Sequence, residues 1–456
     1  MRRAALARRV ASGCILLPGN EPVGMNYLAN EYPFRQDGSF MYFCGLDTPG
    51  LCLWIDCDSG EERLFGAEPG IMDTVWSGPA PGLSELAEQA GIAGHGDLAM
   101  LAELCRDAGA AGRRVHYLPS YRGDGVLRLS GLLGMAAGEI GAGVSRGLID
   151  AVVELRSVKD PKEVAEIRRA VDLSAGMYRE LMSGCRPGAR EAELYGRMQG
   201  WILSHGSREA FPMILSRRGE VLHNHSRDQV LKDGDLLLVD SGVCSPGGYA
   251  SDITRTLPVS GFFSLRQRDI YEIVLHAQAA AIGCMAPGVP FLECHLSAAR
   301  VVAEGLTALG LMRGDPAVAV AAGAHALFFP HGLGHMLGLD VHDMESLGED
   351  HVGYDAEFRR SGQFGLSGLR LARRLQPGFV VTVEPGIYFI PALMDLWRSE
   401  GRHEEFINYE ALAAYRDFGG IRIEDDVLVT DDGADVLSSA IPKTVRELCD
   451  CMGRTR

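Results

Sequence analysis

Helical spacing is clearest in "KDPKEVAEIRRAVDLSAGMYREL", where Val164, Ile167, Val171, Met177 and Leu181 recur on one face. Asp160, Pro161 and Glu163 stand just ahead of that stripe as an acidic N-cap, a first-turn proline and an acid at the third position. They predict a helix start, and with it the main boundary of the chain. Before this point short runs of both periods alternate. "SFMYFCGL" and "LCLWIDCDSGEERLFG" predict strands, the second with a turn at "DSGE", whereas "LSELAEQAG" and "LAMLAELCRDAG" predict helices. The opening "MRRAALARRV" predicts an amphipathic helix with Ala4, Leu6 and Val10 on one side. "GEIGAGVSRG" reads as a loop, because its glycine spacing does not suit a dinucleotide-binding turn. The mixture implies a smaller α/β N-terminal domain over residues 1–155.

From residue 156 to 456 the elements segregate instead of alternating as βαβ units. "LRQRDIYEIVLHAQAAAIGCM" and "FLECHLSAARVVAEGLTALGLM" are long helical patterns. "DLLLVDSGV", "YASDITRTLPV", "FVVTVEPGIYFI" and "IRIEDDVLVT" are strand runs. The second domain is therefore expected to be α+β.

Composition narrows the function classes. At 456 residues the chain can build two sizeable cores. A net charge of −16 with no Lys/Arg-rich run argues against nucleic acid or an anionic membrane as partner. No apolar stretch reaches the roughly 18 residues of a membrane span. The eleven scattered cysteines, with no CxxC pair, read as reduced thiols of a cytoplasmic protein.

The informative oddity is acid inside strands. Asp240 and Asp252 flank Pro246 at six residues on either side, so a hairpin closing there makes them near neighbours on one face. Glu384 alternates with Val380 and Thr382, and Glu424 shares a face with Arg422 and Asp426. Like charges facing one another across a ladder have no structural rationale; shared metal does. A quarter of the thirteen histidines, His331, His335 and His342, fall within "FFPHGLGHMLGLDVHDME". Its glycines suit a regular helix poorly. Four carboxylates and an imidazole form a hard ligand set for two divalent ions such as Mn²⁺, Co²⁺ or Zn²⁺. Two such ions roughly 3.5–4 Å apart generate a hydroxide nucleophile and polarise a carbonyl, which points to metal-assisted hydrolysis.

From about residue 155 to 450 these segments resemble the pita-bread metallopeptidases: methionine aminopeptidase, aminopeptidase P, prolidase and creatinase. The N-terminal domain is similar to that of the aminopeptidase P/prolidase branch. The resemblance implies a pita-bread catalytic domain with metal ligands Asp240, Asp252, His335, Glu384 and Glu424. It implies that Asp252 and Glu424 bridge the ions and that Glu384 is also the general acid/base. His331 and His342 match histidines that contact substrate and carry protons toward the leaving amine, and His223 matches one that touches the scissile peptide. His225 beside it reads either as a second such residue or as a loop residue, whereas His95, His116 and His276 read as ordinary surface or core residues. Arg370 falls where prolidases place an arginine for the substrate carboxylate, and Arg422 supports the acids or that carboxylate. "GIYFIPALMDLW" with the long insert before "FGGIRIED" looks most like prolidase. The implied activity is hydrolysis of the bond before proline, in Xaa-Pro dipeptides or, as an aminopeptidase P, in longer peptides. A proline-containing peptide partner, two ions with Mn²⁺ foremost, and a homodimer follow from the same likeness. A non-catalytic binding module on this fold is the rival; such proteins lose the ligands retained here.

Overall fold

In the computed structural model, residues 1–452 are described. They form two compact units: residues 1–156 with 344–351, and residues 157–343 with the chain from 352 onward.

The first unit is built on a mixed five-stranded sheet. Its strand order is Gly94–Gly96, Glu62–Phe65, Cys52–Asp56, Cys14–Pro18, Val115–His116. One face packs Leu16, Trp54 and Phe65 against Leu101 and Cys105 of helix Leu98–Ala110 and Leu129 of helix Gly123–Leu133. The N-terminal helix spans Arg2–Val10 and buries Leu6, while Ala4 is exposed. "SFMYFCGL" is not a strand. Residues Gly38–Cys44 form a helix, because the Asp37 carboxylate accepts the amides of Ser39 and Phe40, both at 2.9 Å, and Gly45 closes it at φ 74°. Its aromatic residues are buried on several sides, which erases the amphipathic signature. "GEIGAGVSRG" contains a 3₁₀ turn and the single helical turn Ile140–Gly143 rather than an open loop.

In the second unit helix Pro161–Gly184 begins at the predicted cap. The Asp160 carboxylate accepts from Lys162 N and Glu163 N, and Glu163 accepts from Asp160 N at 3.0 Å. Among the described residues every strand pair of this unit is antiparallel. Leu236–Ser241 lies between Ile253–Pro258 and Ile214–Ser216, and Asp425–Val429 lies between Val380–Val383 and Ala434–Val436. Gly386–Tyr388 pairs with Gly420–Arg422. Helices Leu265–Cys284 and Phe291–Ala308 pack against each other beside these sheets. A buried polar knot ties them together. Arg255, fully buried, donates to Asp425 Oδ1 at 2.8 Å and to the carbonyls of Glu424, Ile441 and Pro442. Lys443 Nζ reaches the other Asp425 oxygen at 2.5 Å.

Candidate active site

Two ladders deliver the carboxylates. In the first, Asp240 pairs with Thr254, so the hairpin is centred on Gly247 and not on Pro246. Asp252 thus lies diagonal to Asp240 on the same face, two residues from the position directly opposite. In the second, Thr382 pairs with Asp426 and Gly386 with Arg422. Both pairs sum to 808, so the register carries Glu384 opposite Glu424 across a gap between strand pairs. Pro385 has no N–H to give, which helps open the ladder there. Gln278, buried on helix Leu265–Cys284, fills the gap by donating to the carbonyls of Val383 and Ile423 at 3.1 and 3.2 Å. Each of these residues immediately precedes a glutamate.

The histidine segment is extended rather than helical. Glu384 N bonds Leu333 O, Thr382 N bonds His335 O and Leu337 N bonds Val380 O, at 2.8–3.0 Å. Residues 333–337 therefore run along the strand that leads to Glu384. Gly334 is required by this approach, since a Cβ would stand 2.0 Å from Thr382 O. His335 Nδ1 faces Met336 O at 3.0 Å and so carries the proton. Its Nε2 is left toward Asp252 at 3.3 Å and Glu384 at 3.7 Å, the tautomer a metal ligand needs.

Three overlapping triads bring their ligand atoms within 4.8 Å of one another: Asp240–Asp252–Glu424, His335–Glu384–Glu424 and Asp252–His335–His342. Burial, and then the neighbouring carboxylates, push Asp252 and Glu424 well above the ordinary carboxylate range. Burial also raises Glu384, against the pull of His335 and Arg422. Asp240 Oδ1 and Asp252 Oδ1 are buried and lack a hydrogen-bond partner. Divalent ions fit this set. They would neutralise the crowded acids and occupy the lone pairs that no protein donor meets.

A cavity of about 350 Å³ opens on the cluster. Its wall includes His223, His331, His335, His342, Arg370 and Arg422 together with Asp240, Asp252, Glu384 and Glu424. Phe211, Ile214 and Leu222 form an apolar part of it. His225, His95 and His276 are exposed, and none lines the cavity; His116 is held by Ser145 Oγ and Ser12 O. His342 stacks on His335 with ring centroids 3.9 Å apart.

Arg422 is tied to one of the acids: its guanidinium bonds Asp240 Oδ2 at 2.6 Å, and also Thr254 Oγ1 at 3.1 Å and Tyr388 Oη at 3.0 Å. Tyr388 lies 2.9 Å from His331 Nε2, and His331 Nδ1 lies 2.8 Å from Gly332 O. The imidazole thus donates through Nδ1 and accepts from the tyrosine. Burial, with Arg422 nearby, lowers its pKa to about 3, so it stays neutral near pH 7. Tyr388, Thr254 and Gln278 were not singled out in the sequence. Thr254 Oγ1 donates to Glu424 Oε2 at 2.6 Å, and its place two residues after Asp252 was the available signal.

Residues 165–431 match the model of metallopeptidase family M24, and residues 1–116 match the aminopeptidase P N-terminal domain. The chain belongs to metallopeptidase family M24. The M24 chain is 33 % identical to a human Xaa-Pro dipeptidase, over 97 % of this chain and 89 % of that one. It is 32 % identical to an Escherichia coli K12 Xaa-Pro aminopeptidase, over 98 % and 95 % respectively. Its fold superposes on the Pseudomonas aeruginosa aminopeptidase PepP with a TM-score of 0.81 at 32 % identity, covering 99 % of this chain and 96 % of that one. The fold is thus the α+β pita-bread catalytic domain preceded by the smaller N-terminal domain. No helix among the described residues is long and apolar enough to cross a membrane.

Proposed function

We propose that this M24 enzyme is a dinuclear-metal peptidase that cleaves the bond before proline, with Xaa-Pro dipeptides as its main substrates. The observation that carries the reading is the pair of overlapping acidic triads meeting at Glu424, set in a cavity that also presents Arg370. Asp240, Asp252, His335, Glu384 and Glu424 would hold two ions, Mn²⁺ foremost, with Co²⁺ and Zn²⁺ as alternatives. When bound, such a pair supplies an activated water and polarises the scissile carbonyl.

The chain's own residues supply the rest. Glu384, raised by burial, accepts the proton released from the attacking water and returns it toward the leaving amine. His342 and His223 offer the leaving proline nitrogen imidazole donors. His331, neutral and held at both ring nitrogens by Gly332 O and Tyr388, meets the substrate through its ring instead of changing charge. Arg370 offers a planar fork to a terminal carboxylate, the feature that a dipeptide presents beside its scissile bond. The apolar wall of Phe211, Ile214 and Leu222 suits the pyrrolidine ring. A homodimer, on the family likeness, and a cytoplasmic location, on the scattered free cysteines, complete the proposal.

Aminopeptidase P activity is the second reading, favoured by the close superposition on an aminopeptidase. Hydrolysis of Ala-Pro compared with Ala-Pro-Ala separates the two. The dipeptidase reading expects kcat/KM for Ala-Pro to be at least about tenfold higher, because the dipeptide's terminal carboxylate lies next to the scissile bond, within reach of Arg370, and that of the tripeptide lies one residue further on. A preference for the tripeptide would transfer the assignment to aminopeptidase P.

A further inference from the structure

The loop that carries His342 is held by a buried ion pair whose members do not line the cavity. Lys159 Nζ lies 2.9 Å from Asp343 Oδ2, and the two side chains are 1 % and 2 % exposed. Asp343 directly follows His342. Its other oxygen accepts the amide of Asp340 at 3.3 Å, while its own amide bonds Met336 O at 2.9 Å. Gly338 N bonds Asp340 O, and Ala250 N bonds Gly338 O at 2.8 Å. Residues 336–343 therefore form a closed loop that returns the chain beside its start, which is how His342 comes to stack on His335. The carboxylate occupies the inside of this loop. A Cβ on Gly338 would stand 2.4 Å from Asp343 Oδ2, so only glycine leaves it room.

The lysine is anchored beside the neighbouring strand. Its amide bonds Gly378 O at 2.8 Å, Gly378 N bonds Val429 O, and Val380 O receives Leu337 N. Lys159 is thereby attached at the start of the strand that leads to Glu384, and its ammonium reaches across to the loop bearing His342. A buried ion pair adds little net stability over an apolar pair of equal size; what this one supplies is a direct tie between the strand and the loop.

We propose that Lys159 is a positioning residue of the reaction: through Asp343 it sets where the His342 imidazole stands over the ligand cluster. This rests on the reading of His342 as a proton-handling group. The test uses the full chain loaded with Mn²⁺, with Ala-Pro as substrate, and compares Lys159→Met, Asp343→Asn and the double variant. Each single variant is expected to keep the metal content and KM of the parent while kcat falls about ten- to hundredfold, the effect of misplacing one group by about an ångström. The double variant should lose no more than the worse single, because the two residues act as a unit. A crystal structure of Lys159→Met should show the His342 ring displaced from His335. Unchanged kcat in both singles, losses that multiply in the double, or losses that track metal content would overturn the proposal. If Lys159→Met does not fold, Asp343→Asn is read by the same criteria and its own crystal structure. Should the parent cleave no Xaa-Pro peptide, the peptidase reading fails, and the position of the His342 ring still decides the role of Lys159.

Discussion

Glu384→Gln is expected to yield a folded chain whose kcat on Ala-Pro falls by about 10³–10⁴, the upper range for loss of a general acid/base. Glutamine keeps the shape and the backbone bond from Glu384 N to Leu333 O, so the strand beside His335 stays in place. What it loses is specific. The carboxylate faces His335 Nε2 at 3.7 Å and lies opposite Glu424, and it is held above its ordinary pKa by burial. An amide can neither take a proton there nor neutralise a cation. Proline release measured under saturating Mn²⁺, with a thermal melt as the control for folding, checks the expectation. Residual turnover within about tenfold of the parent would remove Glu384 from the proton path.

The second large effect concerns metal and pH together. Stabilisation by Mn²⁺, read as the difference in Tm between the loaded and the chelator-treated chain, should grow as pH rises from about 6 to about 8. The sign follows from Asp252 and Glu424. Their folded pKa values lie above the unfolded ones, so the folded metal-free chain binds more protons than the unfolded chain. Rising pH strips those protons, exposes the mutual repulsion and removes stability from the metal-free form. Metal replaces the protons and cancels that loss. His295 and His325, buried and lowered to about 3 and about 4, work in the opposite direction, since only the unfolded chain protonates them near pH 6. They do so with or without metal and drop out of the difference. At a hundredfold excess over Kd each ion contributes about 2.7 kcal/mol, several degrees in Tm. A difference that shrinks with pH would mean that the acids are not the ligands.

The parts of this architecture that local rules govern could be read from the chain. The cap at Asp160 and Glu163 and the period of Val164, Ile167 and Val171 describe helix Pro161–Gly184 without help from the rest of the molecule. Acids alternating with apolar residues marked Asp240, Asp252, Glu384 and Glu424 as a shared problem in electrostatics. Where tertiary contact decides, pattern was insufficient. The aromatic run at Phe40–Phe43 looked like a strand because its burial on several sides hides the helical period. The hairpin closed about Gly247 because the turn takes its register from the whole ladder, not from its proline. Tyr388, Gln278 and Lys159 act through partners 34 to 184 positions away, and no local spacing encodes those pairs.

Asp240, Asp252, His335, Glu384 and Glu424 are proposed to hold two ions that make the cavity a peptidase for the bond before proline. The decisive experiment titrates the metal-free chain with Mn²⁺ while recording bound metal and proline release from Ala-Pro. Binding is expected to saturate at about two ions per chain, with hydrolysis rising with their occupancy, as a paired site requires. Saturation without release of proline from either Ala-Pro or Ala-Pro-Ala would contradict that proposal.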